Sequence, residues 1–267
     1  MTAAVSGAAM FGSSELGYRM LRKLHPRQEG SAEASMEWEY GLSYADTLRE
    51  FLGDDWAGRL RERTVVDFGC GNGRGSVELA KAGAARVIGI DIRTDFLDAA
   101  RARAEAAGVA TRCTFTTATD VEADIVVSID AFEHFDDPAA ILGLMRSILH
   151  PGGEVLLSFG PTWYHPHGGH LFSPFPWAHL IFSERALIRW RADFKHDGAR
   201  RFTEVKGGLN MMTISRFERL VADSGFELAS LRLVPIRALR KLHTRLTREF
   251  LTSLVQCRLV KQQVQSR

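Results

Sequence analysis

Two periods of apolar and polar residues divide the chain. Short apolar runs predict strands at 64–68, 86–91, 112–117, 124–129 and 153–159, and helical spacing predicts helices at 74–83, 94–107 and 138–149 between them. Gly83 and Gly108 stand where the first two helices should stop, since glycine accepts the left-handed backbone that closes a helix. Alternating strands and helices imply an α/β domain, a mostly parallel sheet with helices on both faces. Ahead of it, Leu16, Met20, Leu21 and Leu24 share a helical face, predicting a helix at 15–24 capped by Ser13 or Ser14; a second is predicted at 40–52. The rhythm breaks over 160–212. It resumes with a helix at 213–224, a strand at 226–236, an amphipathic basic helix at 236–248 and an antiparallel strand at 250–261. The expected divisions are an N-terminal helical cap (1–60), a core (61–160), an insertion (161–212) and a completion of the core (213–267).

Chemistry concentrates where the first strand ends. Asp67 is followed by glycine at every second position, Gly69, Gly71, Gly73 and Gly75. A glycine turn between strand and helix lets the backbone pass close under a ligand and aim N–H groups at it. Asp91 ends the second strand, eighteen residues beyond Gly73. In a doubly wound sheet such a carboxylate faces the same crevice, where a ribose with free hydroxyls is its natural partner. The dinucleotide fingerprint requires a further glycine where this chain has Arg74 or Ser76, and no phosphate-cradling G-x-x-x-x-G-K-[ST] is present.

The run Asp67-x-Gly69-x-Gly71-x-Gly73 resembles motif I of the class I S-adenosylmethionine-dependent methyltransferases. The resemblance continues through Asp91, the loop acid Asp120, the strand and helix at 125–138, and Leu149-His150-Pro151-Gly152-Gly153, covering about residues 60 to 160. It implies a Rossmann-like, seven-stranded, mostly parallel sheet of order 3-2-1-4-5-7-6, with S-adenosyl-L-methionine as cofactor. It also implies that Asp67 holds the positive end of the cofactor, directly or through water, and that Gly69, Gly71 and Gly73 permit its close approach. Asp91 would accept the ribose hydroxyls, Ile92 would pack on the adenine, and Asp120 would meet the adenine amino group. The plainer alternative for each acid is a strand-end carboxylate capping the next helix. In this family leading helices lie over the cleft; the residues alone equally allow them to cover a sheet edge.

Methyl transfer needs an acceptor aligned behind the methyl carbon, water kept out and, for a hydroxyl acceptor, a base. Asp130, Glu133 and His134 stand at i, i+3 and i+4, so a helical turn would gather them on one face. The Glu-His pair resembles the ubiquinone-biosynthesis type of O-methyltransferase, and His134 is the first candidate for the base because imidazole titrates near neutral pH. The same three residues with His170, or His167, form a carboxylate–imidazole set suited to a divalent metal ion. Some small-RNA 2′-O-methyltransferases carry a comparable E-x-x-E-H, although here the first acid is Asp. The alternative is that His134 bonds the loop after the fourth strand and the later histidines face solvent. Trp163, Tyr164 and His170 follow the fifth strand most closely and are expected to line an apolar, ring-accepting substrate pocket. Otherwise these aromatics form a small core for the insertion.

With 267 residues there is room for one α/β domain and roughly a hundred residues of additions. A 45% hydrophobic, 25% charged composition with net charge +2 is that of a soluble globular chain. Cys70, Cys113 and Cys257 are too scattered for a disulfide framework or a cysteine zinc site. The N-terminal Ala-rich run lacks a basic flank and no apolar run reaches the roughly 18 residues of a span, so the expectation is a cytoplasmic protein. From 228 to 267 there are nine Lys or Arg against Glu249 alone, and Arg237, Arg240, Lys241, Arg245 and Arg248 would line one helix. That face suits either solvent or a peripheral anionic surface. No nucleic-acid module accompanies it, and no N-P-P-Y-type tetrapeptide follows the fourth strand. The reading is a methyltransferase acting on a small-molecule acceptor, at a hydroxyl oxygen. Its rivals are an RNA or other nucleic-acid methyltransferase and a non-catalytic cofactor-binding subunit. No residue pattern specifies a homo-oligomer.

Overall fold

Neighbouring residues of a strand point to opposite faces, and in the first strand both faces are apolar: Val65 packs into one core and Val66 into another. The computed structural model describes residues 14–24, 43–169, 175–196, 198–205 and 208–262. Its strands are β1 Thr64–Phe68, β2 Arg86–Ile90, β3 Cys113–Thr116, β4 Ala123–Ile129, β5 Leu149–Phe159, β6 Phe226–Pro235 and β7 Thr252–Lys261. They form one sheet in the order β3-β2-β1-β4-β5-β7-β6, as expected. The first five pair in parallel, and β7 runs antiparallel to both β5 and β6.

The helices are α1 Ser14–Leu24, α2 Tyr44–Leu52, α3 Trp56–Leu60, α4 Arg74–Lys81, α5 Thr94–Ala106, α6 Pro138–Ser147, α7 Ala178–Ile181, α8 Glu184–Ala192, α9 Ile214–Asp223 and α10 Arg248–Leu251. On one face Leu48, Leu52, Val77, Leu79, Leu97 and Ala100 pack on Val65, Val87 and Ile125. On the other, Leu142, Met145, Phe217 and Val221 pack on Val66, Val126 and Leu157. Each of the Val, Leu, Ile, Met and Phe side chains contributes about 1.5–3 kcal/mol on burial. β5 begins earlier than the expected 153. Leu149 pairs with Ala123, the register then shifts, and Glu154 pairs with Ile125; Gly152, at φ +85°, lies within the shift.

The two leading helices part company. Helix α1 packs chiefly on α8 of the insertion. Its Tyr18 and Leu21 enter a third core with Phe182, Leu187 and Trp190 of the insertion, and Glu15 pairs with Arg189. The expected cap at Ser13 lies outside the described residues. Helix α2 starts later than 40, at a capping box in which Ser43 and Asp46 bond each other's backbone N–H; residues 40–42 are also outside. It covers the sheet beside the glycine turn, where the Tyr44 ring closes on Gly75.

The basic helix expected at 236–248 does not form. Arg237–Leu242 is a 3-10 turn, His243 is extended, and α10 begins only at Arg248. The cause is local: Thr247 Oγ1 donates to the Leu242 carbonyl and accepts from Thr244 N–H at 2.8 Å, replacing the helical ladder. The expected single-faced basic stripe is therefore broken, and Arg248 is turned to Glu218 through two bonds of 2.6 Å. Among the described residues no helix is long and apolar enough to cross a membrane.

Candidate active site

Asp67 shares its face of β1 with Val65, so its side chain points towards the helix after the glycine turn. There Ser76 donates its hydroxyl to Asp67 Oδ2 at 2.6 Å. The carboxylate is 4% exposed. Desolvation pushes its pKa up to about 6 against the opposing bond from Ser76, and Asp91 raises it further.

The glycines divide the work. Gly69, Gly71 and Gly73 have φ of +80°, +50° and +77°. A Cβ on Gly69 would meet Ala131 Cβ at 2.6 Å, and one on Gly73 would meet Ala100 Cβ at the same distance, so these two are required by packing. A Cβ on Gly71 would approach nothing nearer than Phe96 at 4.0 Å, so Gly71 faces open space. The N–H groups of Gly69, Cys70 and Gly71 are spent within the protein, contrary to expectation. Gly69 and Cys70 both donate to the Ile90 carbonyl, and Gly71 donates to Asp91 Oδ2 at 2.9 Å. The turn therefore offers close approach more than donors.

Asp91 directly follows β2, beside this open side. Its Oδ1 accepts the Arg93 N–H at 2.9 Å. With one N–H on each oxygen, each retains a lone pair for a further hydroxyl donor. Ile92 is 89% exposed beside it, and the Arg93 guanidinium lies 3.4 Å from the Phe96 ring centroid. Asp120 is exposed in the loop after β3.

At the end of β4 the predicted helical face is replaced by a tighter turn. Asp130 is left-handed at φ +53°, and Phe132–His134 form one 3-10 turn, so Asp130, Glu133 and His134 do not share an α-helical stripe. Packing imposes the turn. Phe132 is fully buried among Phe135, Phe159 and Phe217, and Asn210 Nδ2 donates to the Phe132 and Phe135 carbonyls at 2.8 and 3.0 Å.

The three polar residues then diverge. Asp130 is exposed by surface area, yet its carboxyl is desolvated by the protein around it. Desolvation first, then Glu133, pushes its carboxyl up to about 7 while His134 pulls it down. Glu133 is 4% exposed, and burial raises its pKa. Its Oε1 accepts the Gly160 N–H at 3.2 Å, while Oε2 has no partner among the described residues. His134 Nδ1 lies 2.8 Å from the Gly208 carbonyl, which requires Nδ1 to carry a proton and leaves the lone pair of the neutral ring on Nε2.

The set expected to hold a metal is described only in part. Among the described residues no three His, Cys, Asp or Glu side chains converge to hold an ion, and His170 lies outside them. Glu133 and His134 are committed to Gly160 and Gly208, and His165 Nδ1 accepts the His167 N–H at 3.1 Å.

Trp163 and Tyr164 part in the same way. Trp163 packs on His179 and Phe202, within the insertion's own core, and Tyr164 stacks on Phe250 with centroids 5.4 Å apart. Three residues bear on the site without having stood out as candidates. Ser76 appeared only as a failed glycine position. Asn210 carried no motif. Tyr44 lay in an ordinary amphipathic helix, yet its hydroxyl is buried without a partner among the described residues, and burial, then Asp67, raises its pKa well above the usual phenol range.

The family described as "Methyltransferase domain" matches residues 66–157, ending before the insertion. The chain is 35% identical over 112 residues to a ubiquinone biosynthesis O-methyltransferase of Actinobacillus pleuropneumoniae, covering 38% of this chain and 47% of that protein. It is 34% identical over 100 residues to the ribosomal protein L11 methyltransferase of Photobacterium profundum, covering 36% and 33%. The chain thus spans about half the length, or less, of these curated relatives. Among solved structures, magnesium protoporphyrin IX methyltransferase from Synechocystis with bound S-adenosylhomocysteine superposes with a TM-score of 0.55 at 18% identity, covering 93% of this chain and 95% of that one. Residues 66–157, from β1 into β5, are thus similar to the methyltransferase domain, and the sheet order is shared with solved S-adenosylmethionine-dependent methyltransferases.

Proposed function

We propose that the protein methylates a hydroxyl oxygen of a small-molecule acceptor. The observation that carries this reading is the meeting, at one sheet edge, of the open side of Gly71 and Asp91 with a histidine whose Nδ1 is tied to a backbone carbonyl. The cofactor fits the residues present: Gly71 leaves space for its passage, Asp91 can accept its ribose hydroxyls, and Asp67 can face its positive end. Ile92 is suited to one face of the adenine, and Asp120 to its amino group. When bound, S-adenosylmethionine supplies an electrophilic methyl group. His134, through Nε2, takes the proton from the acceptor hydroxyl as the oxygen gains the methyl. The charge of Asp130, once ionised, stabilises the imidazolium that results. Tyr164 is suited to an aromatic acceptor; Trp163 supports the wall behind it.

The ubiquinone-pathway relative favours a small hydroxylic acceptor, whereas the L11 relative keeps a macromolecular acceptor as the second reading. Labelled methyl transfer into a metabolite extract, total RNA and ribosomal protein separates them. Label in the small-molecule fraction, lost in His134→Ala, is the expected result. Label only in RNA or protein would replace this reading. No label despite S-adenosylhomocysteine binding would make the chain a non-catalytic subunit.

A further inference from the structure

At the opposite edge of the sheet from Asp67 and Asp91, a cavity of about 380 Å³ opens between the start of β1, the start of β5 and the end of β7. β1 is five residues long, so this cavity lies about 15 Å from the glycine turn. It is lined by Arg59, Arg61, Arg63 and Arg258, with His150, against two acids, Asp124 and Glu154. Four guanidinium groups against two carboxylates leave a surplus of two positive charges before His150 is counted.

The acids position the cations. Glu154 is 9% exposed and accepts from Arg258 and from Arg59 at 3.4 Å. Asp124 accepts from Arg63 at 2.8 Å, from His150 Nε2 at 3.1 Å and from the Thr64 N–H at 2.8 Å. His150 Nδ1 meets the Pro151 carbonyl at 2.9 Å. Both ring nitrogens therefore face acceptors, and only the doubly protonated ring satisfies both, which adds a fifth cation. Arg61 lines the same cavity on an exposed residue. A guanidinium fork carries five N–H donors, so the pairs to Glu154 and Asp124 leave others available.

We propose that this cavity is an anion site for a phosphoryl group, distinct from the methyl-transfer cleft. A phosphoryl dianion is drawn by a surplus of two positive charges, three with His150 protonated, and its oxygens match the forks of Arg59, Arg61 and Arg63. The ligand is a phosphate ester or free phosphate; the shared chemistry is the tetrahedral dianion. This site stands independently of the methyl acceptor.

The test is calorimetric titration of the full chain, already saturated with S-adenosylhomocysteine, with inorganic phosphate and separately with glycerol phosphate. Saturable binding of either is expected, weakened roughly tenfold or more in Arg61→Glu by loss of one charge-assisted contact and reversal of its charge. The S-adenosylhomocysteine affinity of Arg61→Glu, measured alone, should be unchanged and reports an intact fold. Tighter binding of glycerol phosphate identifies an ester as the ligand class, and binding of phosphate alone identifies the free anion. Absence of saturable binding of both, or equal binding to Arg61→Glu, would overturn the site.

Discussion

Ser76 holds Asp67: the first turn of α4 donates a hydroxyl to the carboxylate that precedes the glycine turn, at 2.6 Å. Strand, turn and helix are thus tied by one bond across nine residues. The raised pKa of Asp67 means that its ionisation is unfavourable in the folded chain. Its contribution to stability is full below the unfolded value of about 3.9 and is lost as pH rises through about 6. Asp67→Asn should therefore raise stability at pH 8, on the order of 2 kcal/mol, while weakening S-adenosylmethionine binding. Urea denaturation and calorimetry at pH 8 measure the two opposing effects.

Gly73→Ala should cost more than Gly108→Ala, although both positions have positive φ, +77° and +70°. At Gly108 an added Cβ meets nothing within 4 Å, whereas at Gly73 it meets Ala100 Cβ at 2.6 Å and Cα at 2.9 Å. We expect about 1 kcal/mol for Gly108→Ala and roughly 3 kcal/mol for Gly73→Ala, the difference being overpacking. Equal shifts of the denaturation midpoint would refute this.

Asp91→Ala removes the acceptor of the Gly71 and Arg93 N–H groups as well as the ribose partner. Cofactor affinity should fall roughly a hundredfold, since hydrogen bonds to a charged group are worth about 1.5–3 kcal/mol each. Asp91→Asn, which can still accept, should fall less. Titration with S-adenosylhomocysteine ranks the two.

His134→Ala should lower turnover roughly a hundredfold or more while leaving S-adenosylhomocysteine affinity unchanged. A parallel loss of affinity would assign His134 to cofactor binding instead.

His150 has its pKa raised first by the Pro151 carbonyl and then by Asp124. Its stabilisation is full below the unfolded value of about 6.5 and is lost as pH rises through the higher folded value. His150→Gln should accordingly lower the melting temperature more at pH 5.5 than at pH 9.

Periodicity made the sheet legible: β1 to β5 need apolar runs, and Gly69, Gly71 and Gly73 could be read as a turn because glycine takes a left-handed backbone most readily. The acids at 67 and 91 were legible for the same reason, being fixed at strand ends. The turn at 130–134 was not. Its shape comes from Phe159, Phe217 and Asn210, which lie far along the chain, and spacing rules describe only near neighbours. The failed helix at 236–248 has the opposite cause, a hydroxyl of Thr247 that competes with the backbone over five residues. Trp163 could be placed in the insertion but not on a side of it, because aromatic composition does not tell a pocket from a core.

The pairing of Tyr18 with Asp193 across 175 positions, at 3.0 Å, imposes an order on biosynthesis. The first helix leaves the ribosome long before α8 exists and must wait while the whole central sheet is made. Its apolar stripe, Tyr18 and Leu21, is then a surface that a nascent chain must keep from other partners until Trp190 emerges.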